Sequence, residues 1–279
     1  MRAEDYPPQE PLSALGAAYQ SRVLAAGAGL EGTEFAYGPD PYQSLAVFRP
    51  AAPSGDVLVF LHGGGWTSGY KEWMAFMAPA LLARGVTFIS AGYRLAPAHV
   101  FPAAFDDAAD AIAWVARHRA EHGGDTQRIF VGGHSAGGHY AALLAVTAAW
   151  RSDRGLARDV LRGCLPVSGV YRFGPGSGLT VRPRFLGPLA DPQVDAAASP
   201  LTRLEPGVSP PWLLSHGSRD FPHLVAQAGE MAEALRGAGV PVDLEVLEGC
   251  DHFEASLACG DPGASWVRRA AQWMRNVRD

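Results

Sequence analysis

Arg128-Ile-Phe-Val-Gly-Gly-His-Ser-Ala-Gly137 decides how the rest of the chain is read. Its last five residues, Gly133 to Gly137, fit the pattern G-x-S-x-G and follow directly on Arg128 to Val131, a run of strand-forming residues. The pattern describes a sharp strand-to-helix turn. Small residues let the backbone crowd together there, so that a strained serine, Ser135, projects its hydroxyl above the sheet edge. Gly133 and Gly137 provide the room. The residues that follow, Gly138 to Trp150, are rich in alanine and leucine and predict a helix. Its N-terminal dipole favours negative charge beside Ser135, which makes Ser135 a candidate nucleophile.

Outward from this turn the chain alternates. Residues 12 to 28 carry a helical apolar rhythm through Leu12, Leu15, Ala18, Tyr19 and Val23, ended by Gly27, Gly29 and Gly32. Thr33 to Tyr37 and Ser44 to Phe48 predict a hairpin joined through Pro39-Asp-Pro41. Val57 to Leu61 is a continuous apolar run, as expected of a strand covered on both faces. Then come a helix-rich segment at Lys71 to Arg84, a strand at Val86 to Tyr93, and an amphipathic helix at Phe105 to Arg119. Beyond the turn, Gly163 to Val170, Trp212 to Ser215 and Val242 to Leu247 are strands, Val225 to Gly237 a helix and Ser265 to Val277 a closing helix. Strands alternating with helices of this size predict parallel β-α-β units, hence an α/β fold with a mostly parallel sheet wrapped by helices. The rhythm fails only within residues 171–210, where glycine and proline dominate; this stretch is read as a lid or insertion within a single domain spanning 1–279.

Composition narrows the function classes. With 279 residues, 18% charged and a formal net charge of −5, one large core is feasible and a polyanion-binding surface is not, so nucleic acid is not an expected partner. The N-terminal residues lack the basic start and apolar core of a signal peptide, and no run approaches the roughly 20 apolar residues of a bilayer span. A cytoplasmic protein with no membrane partner is expected. Cys164, Cys250 and Cys259 lack the spacing of metal sites or redox pairs and are read as reduced thiols. No metal or nucleotide signature appears, so neither metal nor other cofactor is expected.

The second chemical signal is His62-Gly-Gly-Gly-Trp66, just past the strand ending at Leu61. Glycines there expose backbone N–H groups, which are the donors that an oxyanion formed during acyl transfer requires. Gly64, Gly65 and the amide of Ala136, next to the serine, are the candidate donors. A serine hydroxyl also needs a base to take its proton and a carboxylate to orient that base. Of nine histidines, His62 belongs to the glycine loop and is read as shaping it. His134 and His139 flank the serine too tightly to reach it and pack or line the pocket. His118 and His122 stand near a polar helix end, and His99, His216 and His223 at a loop, a strand end and a helix start. His252, on a loop after the last strand, is the candidate base. Asp220, one strand earlier, is the candidate acid; it also stands where it can cap the following helix or pair with Arg219. Asp251, Asp191 and Asp195 are less well placed. Trp66, His134 and Phe221 are candidate substrate contacts, together with the lid aromatics Tyr171, Phe173 and Phe185.

With His62-Gly-Gly-Gly-Trp66, Tyr93-Arg-Leu-Ala-Pro97, Phe101-Pro-Ala-Ala-Phe-Asp-Asp107 and Gly133-His-Ser-Ala-Gly-Gly138 in this order, the chain resembles the α/β-hydrolase superfamily from about Val57 onward. Within it, the chain is similar to hormone-sensitive-lipase-like carboxylesterases and to kynurenine formamidase-like hydrolases. The resemblance implies a cofactor-free serine hydrolase with a Ser135, Asp220, His252 triad and oxyanion donors at Gly64, Gly65 and Ala136. It implies a small-molecule ester or amide substrate, and structural roles for Arg94 and Asp107. One departure stands out: many hormone-sensitive-lipase-like enzymes carry an acid before the nucleophile, where this chain has His134. Together with Asp251-His-Phe253, that leaves two expectations, a carboxylesterase and, as the alternative, an arylformamidase.

Overall fold

A computed structural model describes residues 3–118, 121 and 124–277. Arg119 and His122 lie outside the described residues. Among the described residues eight strands form one sheet: β1 Thr33–Ala36, β2 Ser44–Phe48, β3 Gly55–Leu61, β4 Thr87–Ala91, β5 Gly124–His134, β6 Leu161–Val167, β7 Trp212–Gly217 and β8 Val242–Leu247, in the spatial order β1-β2-β4-β3-β5-β6-β7-β8. The expected β1-β2 hairpin is present; β2 also runs antiparallel to β4, and every later pairing is parallel.

Alternation of side chains across the sheet builds two cores. Val57, Val59 and Leu61 of β3 enter one, and Leu58 and Phe60 the other; β5 divides Ile129 and Val131 from Phe130 in the same way. Both faces are therefore apolar, which is why these strands read as unbroken hydrophobic runs rather than alternating ones. Helix α1 (Ala14–Ala26), the 3-10 segment Lys71–Met77, α2 (Ala78–Leu82) and, at the far end of the chain, Ser265–Asn276 cover the second core. The first is covered by α3 (Ala103–His118), α4 (Ala136–Val146) and, later in the chain, α7 (Pro222–Gly237). All eleven residues of α4 are buried, the expected state of a helix that is apolar on every side.

Residues 171–210 are packed in part, with Val181 and Leu189 exposed. Beyond the short α5 (Ala149–Asp153), the insertion contains α6 (Pro192–Ala198), capped by the Asp191 carboxylate accepting from the Gln193 and Val194 amides. Its Tyr171, Phe173, Phe185, Leu186 and Ala198 are buried in the first core.

One buried ion pair ties the loop after β4 to α3. The Asp107 side chain is fully buried; it accepts from the Arg94 amide at 2.9 Å, from Arg94 Nε and Nη2 at 2.8 and 2.7 Å, and from Gln43 Nε2 at 2.8 Å. The structural role implied for Arg94 and Asp107 matches this geometry. Truncating Asp107 strips the buried Gln43 amide and the partly exposed Arg94 of their shared acceptor, so Asp107→Ala is expected to cost about 3 kcal/mol of stability. Urea denaturation checks this; a loss below about 0.5 kcal/mol would place the pair among ordinary surface ion pairs.

Candidate active site

Ser135 occupies the turn between β5 and α4 with φ 54° and ψ −115°, a left-handed conformation that costs a non-glycine residue about 1–3 kcal/mol. Close packing compels it. A Cβ on Gly137 would fall on the carbonyls of Leu61 and His62, and one on Gly133 would fall on Gly137 itself. The helix can thus start only if these two positions lack side chains, and the residue between them is forced outward. The Ser135 amide donates to Val167 O at 3.0 Å, fixing the turn to β6.

The three side chains proposed from the sequence meet here. Ser135 Oγ lies 3.0 Å from His252 Nε2, and His252 Nδ1 lies 2.9 Å from Asp220 Oδ1. Since a carboxylate oxygen only accepts, Nδ1 carries the hydrogen and Nε2 presents its lone pair to the serine hydroxyl. Asp220 Oδ1 also accepts from the Phe221 amide at 2.7 Å. Burial alone would raise the Asp220 pKa. The hydrogen bond and charge of His252, the Ser168 hydroxyl and the Phe221 amide outweigh it and hold the carboxyl well below its usual range.

His252 is not on a loop, as the sequence reading had it, but is the first residue of a helix, α8 (His252–Ala258). Asp251 Oδ1 accepts from the Phe253 and Glu254 amides, and Glu254 Oε2 from the Asp251 amide, a reciprocal cap. Asp251-x-x-Glu254 is the signal that reveals this helix. With seven residues α8 is too short to show an apolar period.

Gly64 and Gly65 have positive φ, and a Cβ on Gly64 would meet the Ser68 carbonyl. Among the described residues nothing accepts from their amides or from that of Ala136, the first residue of α4. His62 shapes this loop as read: its ring stacks on Tyr93 at 4.2 Å, its Nδ1–H donates to Gly63 O at 2.6 Å, and Tyr93 Oη donates to its carbonyl at 2.7 Å.

A cavity of about 290 Å³ opens beside Ser135, with Gly64, Gly65, His134, Phe221 and His252 in its wall. Trp66 does not reach it. Its indole is buried in the core, where it stacks on Phe185 at 4.5 Å and donates to His139 Nδ1 at 3.0 Å, so its assignment as a substrate contact is corrected. Tyr171, Phe173 and Phe185 are core residues for the same reason. Besides Phe221, the aromatic wall comes from Tyr19, Trp73 and Phe253, and Pro11, Leu12 and Gly16 add to it. The segment ahead of the sheet thus supplies part of what was expected of the insertion. Gln9 clamps it to the glycine loop, donating to Gly69 O and accepting from the Gly69 amide, both at 2.9 Å.

A mostly parallel sheet carrying a strained serine at a strand-to-helix turn defines the α/β-hydrolase class. A sequence profile described as alpha/beta hydrolase fold matches residues 58–183, and the chain belongs to the α/β-hydrolase superfamily. It is 34% identical over 219 residues to Esterase LipC of Mycobacterium tuberculosis, covering 72% of this chain and 54% of that protein. It is 28% identical over 240 residues to isoprenylcysteine alpha-carbonyl methylesterase of Arabidopsis thaliana, covering 79% and 56%. The chain therefore spans about half the length of these curated relatives. Esterase 2 of Thermogutta terrifontis superposes with a TM-score of 0.73 at 26% identity, over 88% of this chain and 94% of that one. Among the described residues no helix is long and apolar enough to cross a membrane.

Burial lowers the pKa of both His62 and His139 to about 4. Between that value and about 6.5 the unfolded chain binds protons that the folded chain does not, so stability is lost as the pH falls through this window. Each ring contributes a slope of up to about 1.4 kcal/mol per pH unit. Melting temperatures measured from pH 7 to pH 4.5 are expected to fall, and less steeply after His139→Gln; equal slopes in the two proteins would contradict the assignment.

Proposed function

We propose that the protein is a serine carboxylesterase that cleaves short, uncharged esters through an acyl-enzyme. Ser135 Oγ attacks the ester carbonyl carbon while His252 Nε2 takes its proton. Asp220 keeps the base in the right tautomer and stabilises the imidazolium. The carbonyl oxygen, now negative, is received by the amides of Gly64, Gly65 and Ala136, each commonly worth about 3 kcal/mol in such a site. His252 then returns the proton to the departing alkoxide, and water repeats the sequence to release the acid and restore Ser135.

One observation carries this reading: a strained serine, an imidazole and a buried carboxylate joined in series at 3.0 and 2.9 Å, at the wall of a cavity. The esterase relatives support the bond type. The cavity suggests the size and charge of the substrate, since about 290 Å³ is near the lower end for small-molecule sites and, among the described residues, no Asp, Glu, Lys or Arg lines it. The arylformamidase alternative has no such support, because the relatives and the solved structure named above are all esterases.

p-Nitrophenyl esters from acetate to octanoate, assayed beside N-formylkynurenine, test the proposal. Turnover is expected to peak between acetate and butyrate. Ser135→Ala should lower kcat by about a millionfold and Asp220→Asn by about 10⁴-fold. Ester turnover that survives Ser135→Ala, or a formamide rate above every ester rate, would overturn it.

A further inference from the structure

The geometry points to His134 as a positioning residue that holds the base His252 by its main chain, an inference that rests on the serine hydrolase reading above. Two consecutive residues grip the same partner. Ser135 meets the His252 side chain, while His134 Nε2 lies 2.9 Å from the His252 carbonyl oxygen, with the two rings 4.7 Å apart. A carbonyl only accepts, so His134 Nε2 carries the hydrogen and donates.

The grip matters because of where His252 sits. It is the first residue of the seven-residue α8, and such short helices have little stability of their own. Asp251 and Glu254 cap α8 from within its own segment, and the Arg219 amide binds the Cys250 carbonyl at 2.9 Å. The His134 hydrogen bond instead ties α8 directly to the strand that ends in the nucleophile. Any drift of α8 would lengthen the Ser135–His252 contact, and misplacement of reacting groups by about 1 Å can cost 10²-fold in rate.

His134 also touches the glycine loop. A Cβ on Gly63 would come within 2.9 Å of His134 Nδ1 and 3.3 Å of Ser135 Cβ. The imidazole therefore stands between the loop proposed to bind the oxyanion and the helix that carries the base, and fixes their spacing. Its environment suits this task. Tyr19 covers it at 5.9 Å between ring centroids, with the Tyr19 hydroxyl engaged by Ser256 at 2.7 Å. The titratable groups acting on it are His252 and Asp220; burial and then His252 lower its pKa far enough to keep the ring neutral. A neutral ring donates to the carbonyl without repelling the imidazolium that forms on His252 during the reaction. A carboxylate at this position would lack the donor altogether.

Three variants assayed on p-nitrophenyl acetate test the role. His134→Phe keeps the ring but removes the donor, and should lower kcat about tenfold to a hundredfold with KM within twofold of the parent. His134→Gln retains an N–H able to reach the carbonyl and should recover kcat to within about threefold. His134→Asn, whose amide stops short, should resemble the Phe variant. This Gln–Asn comparison decides the matter if the Phe variant does not fold. Parental kcat in the Phe or Asn variant, a Gln variant as slow as Asn, or a loss confined to KM would overturn the role of His134. Absence of Ser135-dependent turnover in the unsubstituted chain would instead overturn the serine hydrolase reading, and with it this one.

Discussion

Everything at the site depends on how closely the start of α4 approaches the end of β3. Gly137 lies directly on the Leu61 and His62 carbonyls, and Gly133 on Gly137. No side chain fits at either position, so the chain can turn from strand to helix only through a left-handed Ser135. Two consequences follow from one contact. The hydroxyl is lifted out of the sheet toward His252, and the residues that continue from β3 into the glycine loop pass immediately beside it. Ser135 and the loop are neighbours because the backbone leaves them no alternative.

Around this fixed point the remaining parts are brought in by different means. Asp220 and the helix carrying His252 arrive from the ends of the adjacent parallel strands β7 and β8. Their exact placement depends on polar contacts: the reciprocal cap of Asp251 and Glu254, the Phe221 amide on Asp220, and His134 on the His252 carbonyl. The glycine loop is held from below by His62 on Tyr93 and from outside by Gln9 on Gly69. The insertion supports the site from a distance. Its Ala198 carbonyl accepts from His139 Nε2 at 2.7 Å, and His139 in turn holds the Trp66 indole. That chain explains why a tryptophan next to the loop packs inward rather than toward a ligand.

The sheet and its central turn were legible in the sequence because both rest on short-range rules. Two-sided burial makes β3 and β5 continuous apolar runs, and the turn needs small residues at set spacing. Ser135, His252 and Asp220 could be singled out because each follows a strand that ends at the same edge. What could not be read was which surface closes the cavity. Gly16 and Tyr19 belong to a leading helix, and Leu12 stands just ahead of it; the apolar face of that helix says only that it packs, not that it packs over Ser135. Phe173 and Phe185 sit in a glycine- and proline-rich stretch that looks like a mobile cover, yet tertiary contacts with Trp66 and His139 bury them. The short α8 escaped notice because seven residues carry no period, although Asp251-x-x-Glu254 marks its start.

Contact with His252 is expected to set Ser135 apart in reactivity from the other hydroxyls of the chain. Brief incubation with a p-nitrophenyl alkylphosphonate, followed by intact-mass and peptide mass spectrometry, measures this without reference to any ester substrate. One phosphonyl group per chain is expected, located on Ser135, with much slower labelling once His252 is replaced by alanine. Labelling spread over other hydroxyls, or a Ser135 that reacts at the same rate without His252, would contradict it.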